Sequence, residues 1–293
     1  MPKAKIDVYQ EITDRIIAAL EDGTRPWTKS WSVGSGNAPL RVNAPLRVNG
    51  EPYRGINVFL LMMEGRSAQT WMTYKQAQEL GGQVRKGERS AMVTFFKILK
   101  KEQDDGSVDK IPLIRYYNVF NVEQIDGLPE RFYPQPAEVR NADERDAGVD
   151  AYVAATGATV NHGGDKAYFA PGPDAIQLPL FEQFNSAEDY YAVELHELVH
   201  WSGHKSRLDR HTMNSFGSAE YAKEELVAEM GAAILCATLG VSAEPREDHA
   251  SYIASWLKAL KNDKKFVFQA ATAAQKAVDH LEGYQALDME EAA

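Results

Sequence analysis

The run His196-Glu197-Leu198-Val199-His200 places three side chains able to do chemistry inside five positions. On a helix of about 3.6 residues per turn, positions four apart share a face, so His196 and His200 can offer two imidazole nitrogens to one ion. Glu197 would flank that ion, wrongly spaced for a third tight ligand but well placed to take a proton from a water beside it. The chemistry this permits is metal-assisted hydrolysis. It requires the run to be helical, and the residues before it supply the conditions: Ser186 as a cap, Glu188 and Asp189 in the first turn, then Tyr190 to Leu195 without glycine or proline.

H-E-x-x-H on a helix is the arrangement of zinc metalloproteases, whose ion takes three protein ligands and keeps a fourth position open. One extension, H-E-x-x-H-x-x-G-x-x-H, is excluded by the chain itself: Gly203 stands at the glycine position, but Ser206 stands where the last histidine would be. The other solution is a carboxylate on a later helix. Lys223 to Ala233 carries Glu225 and Glu229 one turn apart on one face, so that one can bind the ion while the other orients a histidine. Leu226, Val227, Met230, Ile234 and Leu235 make this helix largely apolar, and carboxylates on a buried helix need partners. Similarity to the equivalent helix of Glu-ligated zincins favours Glu225 as the ligand and Glu229 as the orienter. Zinc is the expected ion, with manganese the alternative. His204, His211 and Tyr221 are candidates to polarise a scissile carbonyl, each having also a plain reading as a surface or supporting residue.

These residues need a scaffold, and 293 residues with 44% apolar and 25% charged composition can supply two domains with cores of their own. The predicted class is α+β: a mixed first domain over 1–130, a proline-containing linker over 131–148, and a second domain over 149–293. Helical spacing of Val8, Ile12, Ile16, Ile17 and Leu20 predicts a helix from Ile6 to Leu20, and further helices are predicted over 58–63, 75–80, 218–239 and 249–280. Strands are expected over Ala91 to Ile98 and Ile111 to Val122. Tyr168 to Asp174 and Ala175 to Pro179 read as edge strands, because proline is tolerated there, and an edge strand ahead of the metal helix is where an extended peptide adds to the sheet.

A formal net charge of −10 excludes a generally basic nucleic-acid binder, but the halves differ. Residues 1–130 hold 18 Lys+Arg against 16 Asp+Glu, a balance of +2, which leaves 14 against 26, or −12, for the remainder. Binding of a polyanion therefore belongs to the first half. The start of the chain leads into an amphipathic helix and no run of about 18 apolar residues occurs, so a cytoplasmic protein with no membrane partner is expected. The single cysteine, Cys236, lies in an apolar run and cannot form an internal disulfide.

The first half also carries aromatic residues beside cations. Trp27 and Trp31 stand among Arg25 and Lys29, where the indoles either stack on unpaired bases or plug the core. A hexapeptide, Ala-Pro-Leu-Arg-Val-Asn, occurs twice over 38–49 and reads as a surface loop bearing Arg41 and Arg47. Arg85, Lys86 and Arg89 form a basic turn before the first long strand, and Tyr116, Tyr117 and Phe120 sit on the second. Aromatics on a sheet beside a basic turn suit unpaired nucleic acid, or else form the core.

Several long strings of this chain resemble the ArdC family of antirestriction proteins over nearly its whole length. The first half is similar to the ArdC-type single-stranded-DNA-binding domain through Tyr53-Arg54-Gly55-Ile56-Asn57, Trp71-Met72-Thr73-Tyr74-Lys75-Gln76-Ala77, Gly81 to Glu88, and Tyr117 to Asn121. The second half is similar to the paired zincin-like metallopeptidase domain through His196 to His204 and Glu224 to Glu229. The resemblance implies binding of single-stranded DNA without strong sequence preference, and protection of plasmid DNA entering a recipient by conjugation. The aromatic and basic residues read above and the matching strings together make Trp27, Trp31, Arg41, Arg47, Tyr53, Arg54, Trp71, Tyr74, Lys75, Arg85, Lys86 and Arg89 the expected DNA contacts. A peptide substrate, conceivably within a host restriction enzyme, would belong to the second half. Two rival readings keep part of this: a DNA-occluding protein with a merely structural metal site, and a metalloprotease whose first half binds protein.

Overall fold

The computed structural model describes residues 6–24, 26–27, 44–102, 108–133, 144–210, 218–241 and 250–291. The first element, α1 (Val8–Glu21), is capped by Asp7, whose carboxylate accepts from the amides of Tyr9 and Gln10, and buries Val8, Ile12, Ile16 and Leu20 along one stripe. That stripe is not confined to partners in the first half of the chain. It packs in one core with residues of α7 (Ala250–Asn262) and α8 (Phe266–Glu291). The Thr13 hydroxyl donates to the Lys264 carbonyl, and Lys261 and Lys264 pair with Glu21 and Asp7. The predicted helix over 249–280 is in fact these two helices, separated at Asp263–Lys265.

A four-stranded sheet in the order β1-β2-β5-β4 dominates the first half. Its strands are β1 (Leu46–Arg47), β2 (Thr70–Met72), β4 (Ala91–Glu102) and β5 (Val108–Asn121), the last two forming a long antiparallel hairpin from Ala91↔Val119 to Glu102↔Val108. The second copy of the hexapeptide is therefore not a plain loop, since Leu46 and Arg47 pair in parallel with Thr70 and Trp71; its first copy lies outside the described residues. A small pair, β3 (Gln83–Val84) with β6 (Ile125–Asp126), closes a separate apolar cluster around Met72, Val122 and Ile125. The helices α2 (Ile56–Met62) and α3 (Tyr74–Glu79) lie between these strands in the chain. The buried side chains of α2 divide: Val58 and Phe59 join the large helical core, Leu61 packs with Trp71, Val93 and Val119 under the sheet.

The second half begins with α4 (Ala147–Ala155) and a three-stranded sheet in the order β7-β9-β8. Here β9 (Ala175–Leu178) is the central strand, parallel to β7 (Thr159–His162) and antiparallel to β8 (Tyr168–Ala170). The expectation of two edge pieces thus holds for β8 and fails for β9, whose proline, Pro179, follows the strand and removes none of its ladder hydrogen bonds. Behind the sheet stand α5 (Ala187–Ser202) and α6 (Ala219–Leu239), capped by Ser186 and Ser218 through their hydroxyls. From Tyr190 to Ser202 every residue of α5 is buried, and Leu226 to Ala232 of α6 is nearly so. Polar groups on such helices must find one another. No described helix is long and apolar enough to cross a membrane.

Candidate metal centre

His196 and His200 lie on the face of α5 turned to α6, and their Nε2 atoms stand 3.2 Å apart. Glu225 of α6 meets both, with Oε2 3.7 Å from His196 Nε2 and Oε1 3.5 Å from His200 Nε2. Two nitrogens each about 2.0–2.1 Å from a tetrahedral ion would be about 3.3 Å apart, so the donor spacing fits such an ion. All three residues are buried, and they are the cluster of donor atoms among the described residues that lies within 4.8 Å of one another.

Each ring is held from behind. His196 Nδ1 faces Glu229 Oε1 at 3.6 Å, and His200 Nδ1 faces Glu224 Oε1 at 3.5 Å. Arg210 in turn grips Glu224 through two nitrogens, at 3.1 and 3.3 Å, while donating to the Val199 carbonyl at 2.7 Å. Glu229 Oε2 accepts from Trp27 Nε1 at 3.1 Å. Carboxylates on the far nitrogens select the tautomer that points a lone pair at the ion and make the imidazole more basic.

The charges respond as a buried acidic cradle must. Burial opposes a charged His200, but hydrogen bonds to Glu224 and Glu225 prevail and push its imidazole up to about 10. Burial likewise opposes ionisation of Glu224 and Glu225. The hydrogen bond to His200 and the charge of Arg210 bring Glu224 down to about 2, and the two histidines hold Glu225 lower still. The donor set is thus a negatively charged pocket that retains a proton where a divalent cation fits.

Close approach of α5 and α6 depends on Gly231. A methyl group there would stand 2.8 Å from both Val199 methyl carbons, and Val199 lies between the two histidines on a β-branched, stiff rotamer. Gly231→Ala is expected to lose about 1–3 kcal/mol to overpacking, more than the gain in helix propensity returns. Thermal unfolding and a metal titration would read a lower Tm and a weaker site together; an unchanged Tm would show that the helices can yield there.

Glu197 is 5% exposed, and its charge adds to the upward push on His200. Tyr221, in the first turn of α6, reaches the same site: burial and then the Glu225 charge raise its hydroxyl well above the usual phenol range. His204 does not join the donors. Its Nδ1 lies 2.7 Å from Ser206 Oγ and 3.9 Å from Asp174, at the turn that Arg207 fastens to the end of α5. His211 lies outside the described residues.

Of the DNA contacts expected from the sequence, Trp27 and Trp71 require correction. Each is 3% exposed and offers no face to a base. Trp27 packs edge-on against Trp256, 5.5 Å between centroids, and serves Glu229; Trp71 is enclosed beneath the sheet. Large apolar rings go to the core: Trp27 follows the buried stripe of α1, and Trp71 is a buried residue of β2 itself. Trp31 and Arg41 lie outside the described residues. Tyr53 is half-buried under Arg47, and Arg54 is paired with Asp279 of α8. Tyr74 and Lys75 are exposed at the start of α3, Lys75 beside Glu79. Lys86 and Arg89 are exposed, whereas Arg85 is tied to Glu88, Asp126 and the Glu123 carbonyl. The long hairpin instead exposes Phe95, Phe96 and Tyr117 by about half. A signal for the first two was present, since adjacent residues of a strand point to opposite faces and Phe95 and Phe96 cannot share one core. For Glu224 and Arg210 there was none, because helical spacing singles out Glu225 with Glu229.

Comparison with known proteins gives these sites a family. Residues 147–273 match a family described as zincin-like metallopeptidase, and residues 6–120 match the N-terminal domain of anti-restriction factor ArdC. The metal-free crystal structure of the antirestriction protein ArdC from plasmid R388 superposes with a TM-score of 0.82 at 45% identity, covering 96% of this chain and 98% of that one. The Mn(II)-bound structure of the same protein gives 0.77 at 44% identity. A protein of Sinorhizobium fredii, y4eC, is 40% identical over 97% of this chain and 94% of its own length. Two Escherichia coli proteins named DNA primase TraC are 40% and 38% identical, but the chain spans only 20% and 28% of their lengths. Two converging observations, the matched N-terminal domain and the zincin-like half carrying a donor set fit for a divalent metal, place this α+β chain in the ArdC antirestriction family.

Proposed function

We propose that the protein binds single-stranded DNA without strong sequence preference and shields plasmid DNA entering by conjugation from restriction, while its second half acts as a metal-dependent peptidase. The observation that carries this reading is the near full-length likeness to an antirestriction protein, 45% identical over 98% of that chain. In it, residues 1–130 take part in binding the strand and 149–293 carry the metal centre. His196, His200 and Glu225 hold the ion, zinc being favoured because two imidazoles and one carboxylate suit it, with manganese as the alternative. Such an ion supplies a Lewis acid that polarises a scissile carbonyl and acidifies a water. Glu197 accepts the proton and returns it to the leaving amine. Tyr221 donates to the carbonyl oxygen as charge develops there. Glu224 and Glu229 keep both rings in place, and an extended peptide pairs with the outer edge of β8, which no described strand occupies.

The test is Glu197→Gln, which keeps the ligands and removes only the base. Transfer of a plasmid into a restricting recipient would be compared with wild type, after both proteins are shown to bind an oligonucleotide equally. Loss of protection is the expected result. Full protection would leave DNA occlusion sufficient and make the metal structural, which is the second reading that the buried, well-supported donor set also fits.

A further inference from the structure

A cavity of about 730 Å³ opens where α1, α2 and β4 meet α8. Every charged residue lining it is a cation, Arg54, Arg210, Lys265 and Lys276, in a chain whose formal net charge is −10. Arg54 and Arg210 already hold Asp279 and Glu224. Among the described residues no ion pair occupies Lys265 or Lys276; Lys265 Nζ instead rests 5.5 Å from the centre of the Tyr9 ring. Tyr9, Phe96 and Phe268 build one wall, Tyr9 meeting the other two edge-on at centroid distances of 6.2 and 4.8 Å. Phe96 is 51% exposed.

We propose that this groove is where the single strand lies, its phosphates against Lys265 and Lys276 and a base on Phe96, in preference to the outer turn of Arg85 to Arg89. The proposal rests on the single-strand reading above and adds where the strand runs. Cations that hold no ion pair attract a polyanion, and an exposed ring beside them accepts a base of any type. The outer turn has only part of this, since Arg85 is neutralised by Glu88 and Asp126. A polymer fits better than a single nucleotide because the aromatic face continues out of the cavity: Phe96 and Ile98 of β4 and Tyr116 of β5 lie on one side of the hairpin and are all exposed. At its inner end the groove reaches Arg210, whose guanidinium holds Glu224 behind His200, so the strand would run up to the metal-bearing half.

The test uses full-length protein and a fluorescent oligothymidylate of about 20 nucleotides, longer than a typical site, with anisotropy read at several salt concentrations. Lys265→Glu with Lys276→Glu is expected to weaken binding at least about tenfold and to flatten the log–log salt dependence by about 1.4, two phosphates at about 0.7 each. Phe96→Ala is expected to weaken it about fivefold or more with the slope unchanged, as loss of stacking does. Lys86→Glu with Arg89→Glu should stay within about twofold of wild type at matched salt. Should the charge-reversed groove protein fail to fold, as judged by metal content and unfolding, Lys265→Gln with Lys276→Gln must show the same flattening. Wild-type binding by the groove variants together with loss in the outer-turn variant would overturn the proposal. Failure of wild type itself to bind would instead overturn the single-strand reading.

Discussion

Glu225→Ala is expected to empty the metal centre, whereas Glu229→Ala only weakens it. Glu225 is the residue whose two oxygens face both Nε2 atoms, at 3.7 and 3.5 Å, so its removal takes away both a donor and a negative charge from the cradle. The loss of affinity should go well beyond the about 10- to 100-fold typical of an orienting partner. Glu229 touches only the far nitrogen of His196 and the indole of Trp27, and its loss should stay within that about 10- to 100-fold range. Metal-free Glu225→Ala should also lose stability, on the order of 3–5 kcal/mol if His200 keeps its proton, because a buried charge is left without one of its partners. Metal content after dialysis and a competitive titration separate the two variants. If Glu229→Ala emptied the site and Glu225→Ala retained it, the assignment of ligand and orienter would be reversed.

Metal-free and metal-loaded protein should respond to pH in opposite directions. In the metal-free chain the folded His200 titrates at about 10, above its ordinary 6.5, so its contribution to stability is complete below 6.5 and is lost as pH rises towards 10. Glu224 is depressed to about 2 from 4.5, so its contribution is complete above 4.5 and is lost as pH falls through 2. Stability of the metal-free protein should therefore be greatest between about 4.5 and 6.5 and fall across the alkaline side. Coordination needs the neutral imidazole, so at pH 7 to 8 binding should release about one proton, and affinity should rise over the interval in which the metal-free protein weakens. Calorimetric titration in buffers of different ionisation enthalpy counts that proton. Thermal unfolding from pH 6.5 to 9.5, with and without excess zinc, reads the two slopes. Parallel slopes would show that His200 holds no proton in the metal-free state.

Whatever depends on local repetition could be read directly along the chain. Four residues of α-helix bring His196 over His200, and the period of Val8, Ile12, Ile16 and Leu20 gives α1 its apolar stripe. The hairpin β4–β5 follows from two β-rich runs around a polar turn, and its pairing keeps one unbroken register. Pattern stops where partners are distant in sequence. Periodicity assigns α1 a buried face but not a partner, and tertiary packing sets it in one core with α7 and α8, some 250 positions later. The same packing draws Trp27 out of reach of any base and sets it behind Glu229. Likewise, helical spacing pairs Glu225 with Glu229, leaves open which of them meets the ion, and passes over Glu224. Only the angle and closeness at which α6 meets α5, permitted by Gly231, turn Glu225 towards both Nε2 atoms and leave the other two behind the rings. Helix pitch is a property of neighbouring residues, so the sequence determined the two histidines and their glutamate and narrowed the third donor to Glu225 or Glu229; the hold of Glu224 and Arg210 on His200 and the cationic groove arise from contacts between elements, and tertiary structure alone decided those.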